Sequence, residues 1–178
     1  MNQKQKDLLI RRLIFEPQKY RFNEPEVVKR HNDLCFFKIF FGKEEMDKTL
    51  IKELLVDSIK NKNESELDLL LMFLEHFNVV RDFDLIVAEL LIQPWHHFHD
   101  RIASILEFSP SEEIVDYLYK GALYSCNNLE YESDYCEFNR KCLYALSKIG
   151  TKEAINYLIE VAHCDNVIVS KYAKDILS

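Results

Sequence analysis

The stretch RKCLYALSKIGTKEAINYLIEVA, residues 140–162, decides the fold. Cys142, Ala145, Leu146 and Ile149 recur at three- and four-residue spacing, the period that gathers side chains onto one stripe of a helix. Gly150 follows as a stop, because glycine enters the left-handed conformation that ends a helix without a Cβ penalty. Thr151 is placed to cap the next helix, and Glu153 falls in its first turn, where the helix dipole favours an anion. Ala154, Ile155, Leu158 and Ala162 then form a second apolar stripe. The stretch predicts a pair of helices, each apolar on one side. Asp165 or Asn166 opens a further helix, with Ile168, Val169, Ala173, Ile176 and Leu177 expected to point inward.

A shift of 40 residues lays this pair over its predecessor: Ser111–Leu118 (SEEIVDYL) falls on Thr151–Leu158 (TKEAINYL), Ala122 on Ala162, Leu106 on Leu146 and Pro110 on Gly150. A helix pair that recurs in this way cannot bury its apolar face alone, so neighbouring pairs must stack. Residues 124–136 lengthen the repeat as an insertion. Upstream, Asn63-Glu64-Ser65-Glu66 has the pattern of a capping box in front of Leu67–Phe77. Asp82 precedes Phe83–Ile92, and both of these segments are apolar nearly all round, as suits the middle of a stack. Glu44–Lys60 reads as one amphipathic helix, residues 24–41 as one broken or two short helices, and Gln3–Phe15 as the first. The expectation is a single helical domain over residues 1–178 with nine to eleven helices. Within it, residues 1–62 form an irregular N-terminal part and residues 63–178 the helix pairs.

Composition agrees. The chain has 178 residues and 21.2 kDa, enough for one domain, with 48% apolar and 30% charged residues. Only 3 Gly and 4 Pro are present, which argues against folds built on glycine-cradled phosphates or many tight hairpins. A net charge of −7 argues against nucleic acid as a partner. The Met1-Asn2-Gln3-Lys4 start lacks the apolar region of a secretory signal. The longest apolar run, Leu69–Leu74, is far short of the ~20 residues that span a bilayer. Cys35, Cys126, Cys136, Cys142 and Cys164 form no C-x-x-C pair and are odd in number, a pattern of reduced thiols in a cytoplasm. Each is expected to be a small buried or half-buried side chain.

The residues Arg140–Gly150, with Glu153-Ala154-Ile155 and Leu158, resemble the short HEAT-like repeat of the bilin-lyase type. The resemblance is best over 137–163, extends to 96–125, and reaches 165–178 as a half repeat. Cys142 and Leu143 stand where the pattern has small residues, and Ser147 where it has glycine, departures that bear on local packing. The fold this resemblance implies is all-α: a short α-solenoid of HEAT-like helix pairs. Small bacterial proteins of this type include immunity proteins against secreted or contact-delivered toxins, many of which are basic nucleases. The resemblance therefore implies a non-catalytic, cytoplasmic, protein-binding module without cofactor that neutralises a cognate toxin domain. A scaffold in a cellular complex and a lyase-like or metal-dependent enzyme are the alternatives, and a homodimer is left open.

Trp95-His96-His97-Phe98-His99-Asp100 holds half of the six histidines and follows Pro94, a residue suited to the first turn of a helix. His96 and His99 are three apart and could share a metal, yet zinc wants three or four ligands. The expectation is architectural: histidines as caps and Trp95 anchoring a turn between helices. No G-x-S-x-G, Walker A, G-x-G-x-x-G or H-E-x-x-H occurs. Cys164 adjoins His163, but adjacent helical residues diverge by ~100° and do not meet.

Charge placement gives the functional lead. Between Glu107 and Glu137 eight acids (Glu107, Glu112, Glu113, Asp116, Glu130, Glu132, Asp134, Glu137) face one base, Lys120, a balance equal to the −7 of the whole chain. The insertion in this window also carries Tyr124, Tyr131 and Tyr135, and tyrosine is a preferred interface anchor. The repeat makes Tyr117 and Tyr157 successive rungs, flanked by Glu113, Asp116 and Lys120 and by Glu153, Asn156 and Glu160. The expected partner-binding residues are Glu113, Asp116, Tyr117, Glu130, Tyr131, Glu132, Asp134, Tyr135, Glu137 and Tyr157. The plainer alternative is a solvated acidic loop with tyrosines half-buried against their own helices.

Overall fold

The computed structural model describes residues 1–15, 26–108, 110–124 and 137–178. Among these, every regular element is helical, in ten α-helices joined by short 3-10 and π turns. The chain forms two compact units, Met1–Phe77 and Asn78–Ser178.

In the first unit, α1 (Gln3–Ile10) is opened by a reciprocal cap between Asn2 and Gln5 and continues as a π turn, Arg11–Phe15. The second helix, α2, is one continuous segment, Glu26–Phe41. It ends at Gly42, whose φ of +72° is a left-handed stop. The amphipathic segment expected from Glu44 starts later: α3 spans Lys48–Lys60, because the Asp47 carboxylate caps it by accepting from the Leu50 amide. Asn63 then caps α4 (Glu64–Phe77), accepting from the Glu66 amide at 3.2 Å. The return bond of the expected capping box is replaced, since the Glu66 carboxylate binds Lys6 and the Met1 ammonium. Burial works to raise the Glu66 pKa, and these two cations outweigh it, so the carboxyl lies below its ordinary value.

The pattern divides the chain at residue 62, whereas the compact units part after Phe77. The reason is that α4 completes the first core: Leu67, Leu70, Leu71, Phe73 and Leu74 are fully buried along with Leu9, Ile51 and Leu55. At one end, the Phe36, Phe40, Phe73 and Phe77 rings cluster at centroid distances of 4.6–6.2 Å. The buried Arg12 guanidinium lies over Phe36 and Phe77 and pairs with Asp33.

In the second unit, a 3-10 turn (Val80–Asp82) leads to α5 (Asp84–Glu89) and a further turn, Leu90–Ile92. Then come α6 (His99–Phe108), α7 (Val115–Leu123) entered through Glu112–Ile114, α8 (Glu137–Ile149), α9 (Lys152–Val161) and α10 (Val167–Leu177). Packing runs in two rows, α5 to α7 to α9 and α6 to α8 to α10. The paired positions of the repeat are buried together: Leu106 with Leu146, Leu118 with Leu158, Ala122 with Ala162. Gly150 takes φ +66°, and the Thr151 hydroxyl accepts from the Ala154 amide. Asn166 caps α10, of which Val169 and Ala173 are buried while Ile168 and Leu177 are exposed. The stripe covered by α8 and α9 is thus narrower than the apolar pattern.

Gly121 sets the closeness of α7 to α8, since a Cβ there would meet Cys142 Sγ at 3.0 Å and Leu91 at 3.5 Å. The Asn139 side chain of α8 donates to the carbonyls of Gly121, Ala122 and Tyr124, closing the end of α7. Of the three described cysteines, Cys142 is buried and Cys164 half-buried. Cys35 is exposed against expectation, because the buried stripe of α2 is formed by Phe36 and Phe40.

Candidate functional site

The helix α7 buries Val115, Leu118, Gly121 and Ala122, which turns Asp116, Tyr117, Tyr119 and Lys120 outward. Asp116 and Tyr119 are three apart and share a face. Tyr157 of α9 lies in the notch between them: its hydroxyl donates to Asp116 Oδ1 at 2.6 Å and its ring stacks on Tyr119 at 4.1 Å, the planes 10° apart. Tyr117 reaches the other way and donates to Glu89 Oε1 of α5 at 3.3 Å, with the Lys120 ammonium 5.5 Å from its ring centroid. The Glu160 carboxylate lies close enough to the Tyr119 hydroxyl to raise its pKa. Three tyrosines and three carboxylates thus alternate along the row α5, α7, α9.

Every phenol on this face is harder to ionise than usual. The hydrogen bond to Asp116, with partial desolvation and the charges of Glu153 and Glu160, pushes Tyr157 up to about 12. The neighbouring Glu160 carboxylate raises Tyr119, and desolvation together with Glu89 and Asp116 raises Tyr117. The tyrosines therefore stay neutral donors and the carboxylates carry the charge. A carboxylate that accepts one phenol keeps further lone pairs for an arginine or lysine, and the stacked rings offer a π face to the same cation.

The structure brings Asp116, Tyr117 and Tyr157 together, while Glu113 is exposed in the turn that enters α7. Glu137 sits elsewhere: it pairs with Arg140, whose guanidinium lies 5.5 Å from the Tyr144 centroid and 6.0 Å from that of Tyr172 on α10. Glu130, Tyr131, Glu132, Asp134 and Tyr135 lie outside the described residues, as do Cys126 and Cys136. Glu89 and Tyr119 were not anticipated. The spacing of Tyr119 from Asp116 was a usable signal; nothing local marks Glu89.

The histidine segment has a different shape from the one expected. Pro94 does not open a helix; α6 starts at His99, and residues 93–98 form an irregular connection. Its backbone is held by imidazoles: His96 Nε2 meets Leu90 O at 3.0 Å, His96 Nδ1 accepts from the Phe98 amide at 3.1 Å, and His99 Nε2 meets Gln93 O at 2.8 Å. The two rings stack at 4.5 Å, and Trp95 sets its edge on His96. Burial and each other's proximity lower the His96 pKa to about 4, and burial lowers that of His99. Among the described residues, no three His, Cys, Asp or Glu side chains are grouped to hold a metal. Likewise, no helix there is long and apolar enough to cross a membrane.

No family model matches the chain, and neither a curated protein nor a solved structure matches it.

Proposed function

We propose that this chain is a protein-binding module of HEAT-like helix pairs stacked as a short α-solenoid. Its acidic tyrosine face captures a basic protein partner, in first place the toxin domain that it neutralises as a cytoplasmic immunity protein. The observation that carries this reading is the alternation of Glu89–Tyr117, Asp116–Tyr157 and Tyr119–Glu160 along one row of helices. Such a face steers a cationic surface electrostatically and offers aromatic anchors on arrival. The two-row packing and the 40-residue repeat support the solenoid.

The test is protection. Cells expressing the chain are challenged with a secreted toxin domain encoded beside its gene, and the purified pair is assayed for binding. Replacing Glu89, Asp116, Glu153 and Glu160 by Lys slows binding and reduces protection accordingly, while the helical circular dichroism is retained. Full protection by that variant removes the face from the function.

A further inference from the structure

Two backbone groups of the connection between Ile92 and His99, Gln93 O and Phe98 N–H, are met by the imidazole rings of His99 and His96, and His96 also binds Leu90 O of the turn before it. His96 and His99 are 3% and 4% exposed, so water does not compete for these bonds. Their protonation state is fixed by the partners. Phe98 N–H donates to His96 Nδ1, and Leu90 O, which also accepts from the Gln93 amide, can only accept from His96 Nε2, a combination that only the neutral ring with its proton on Nε2 provides. Gln93 O likewise requires the proton of His99 on Nε2, which leaves His99 Nδ1 a buried lone pair without a partner. That ring is sandwiched between His96 and Tyr124, the residue that ends α7, and meets the edge of Phe138.

We propose that the stacked His96–His99 pair is an acid-released latch: neutral, it stitches residues 93–98 and Tyr124 to the core of the Asn78–Ser178 unit, and protonated, it lets them go. A proton on His96 Nδ1 takes away the acceptor of Phe98 N–H, and a proton on either ring places a cation against its neighbour.

Among the described residues, the carboxylates near the pair are turned to other partners. Beside the pair in the connection is His97, whose proximity further disfavours charge on both rings. On α6, Asp100 is turned to Lys141 of α8. From α5, Glu89 is engaged by Tyr117. The end of α7 contributes the Tyr124 phenol, and α8 contributes Phe138 and Asn139, with Glu137 drawn to Arg140.

The sign follows from the direction of the shift. A histidine with a folded pKa of about 4 holds the closed state fully above its ordinary 6.5 and loses that hold as pH falls through 6.5 toward 4. The opening constant of the connection therefore rises on the order of 50–100-fold between about pH 7.5 and about pH 4.5 from His96 alone.

Hydrogen exchange of the full chain reads this directly. Amide protection factors between Leu91 and His99 fall by that factor on acidification, while those in the middle of α10 fall far less. His96→Gln keeps a donor for Leu90 O but does not titrate, and it flattens the dependence. Imidazole titration by NMR in the unsubstituted chain needs no variant to fold, and it shows His96 neutral to below about pH 5. An equal loss of protection across Asn78–Ser178, a His96 that titrates near 6.5 with protection intact, or an unaltered dependence in His96→Gln overturns the latch.

Discussion

The Tyr157 hydroxyl donates to Asp116 Oδ1 across 41 residues of sequence, the separation that also divides Lys141 from Asp100 and Lys148 from Glu107. All three bonds join a helix to the one two positions earlier in the chain, α9 to α7 and α8 to α6. They tie consecutive repeats together on both rows. The exposed pairs contribute little each, since exposed ion pairs stabilise by well under about 1 kcal/mol. Their regularity identifies which faces meet.

Asp116→Asn tests the Tyr157 bond without disturbing the core. The variant removes the charge that opposes phenolate formation, so the Tyr157 pKa falls from about 12 toward its ordinary 10. Spectrophotometric titration of the phenol, with Tyr157→Phe to assign the signal, measures the change. An unaltered titration means that Asp116 is not its partner in solution.

Much of this arrangement was legible in the sequence because its determinants are local. Thr151, Asn166, Asn63 and Gly150 act within a turn of their own position, and helical periodicity marked Leu118, Leu146 and Leu158 as core. What was not legible depends on which distant side chains arrive. Glu66 fits a capping box by spacing, yet Lys6 and the Met1 ammonium draw its carboxylate away. Pro94 fits a helix start, yet the His96 and His99 rings satisfy the backbone of an irregular connection there. The row of tyrosines was half visible: the repeat aligned Tyr117 with Tyr157, whereas their carboxylate partners Glu89 and Asp116 follow from the packing of helices and not from spacing.

The close approach at Gly121 predicts a change of sign between two backgrounds. Alanine there gains about 1 kcal/mol of helix propensity. Its Cβ, however, would press on Cys142 Sγ at 3.0 Å, and overpacking of this kind costs about 1–3 kcal/mol. Gly121→Ala alone therefore destabilises, and Gly121→Ala in a Cys142→Ala background stabilises relative to Cys142→Ala. Urea unfolding of the four proteins gives the coupling directly, and additive effects would show that α7 and α8 relax apart.

Asn139→Ala leaves the carbonyls of Gly121, Ala122 and Tyr124 without their shared donor. Buried acceptors stripped of a partner cost about 1–3 kcal/mol, and the bonds to Gly121 and Ala122 are buried. The midpoint of urea unfolding should drop accordingly, with an unchanged slope. Asn139→Asp should cost more, because it sets a carboxylate against three carbonyl oxygens. If Asp is tolerated as well as Ala, the amide is not what closes α7.

The binding face makes a kinetic prediction that separates its charges from its rings. Long-range capture by Glu89, Asp116, Glu153 and Glu160 weakens with salt, since the Debye length shrinks from ~10 Å at 0.1 M to ~3 Å at 1 M. Lysine at these four positions should slow association at low salt and leave dissociation nearly alone. Tyr119→Ala removes the ring on which Tyr157 stacks and should chiefly speed dissociation, because anchor contacts form only in the docked complex. Glu137→Lys is the internal control: its partner Arg140 lies with Tyr144 and Tyr172, and binding should be unchanged. Lysine at Glu130, Glu132 and Asp134 weighs the insertion separately. If that triple variant loses association rate while the four-residue variant on α5, α7 and α9 keeps it, the partner docks on the insertion and the tyrosine row is architecture.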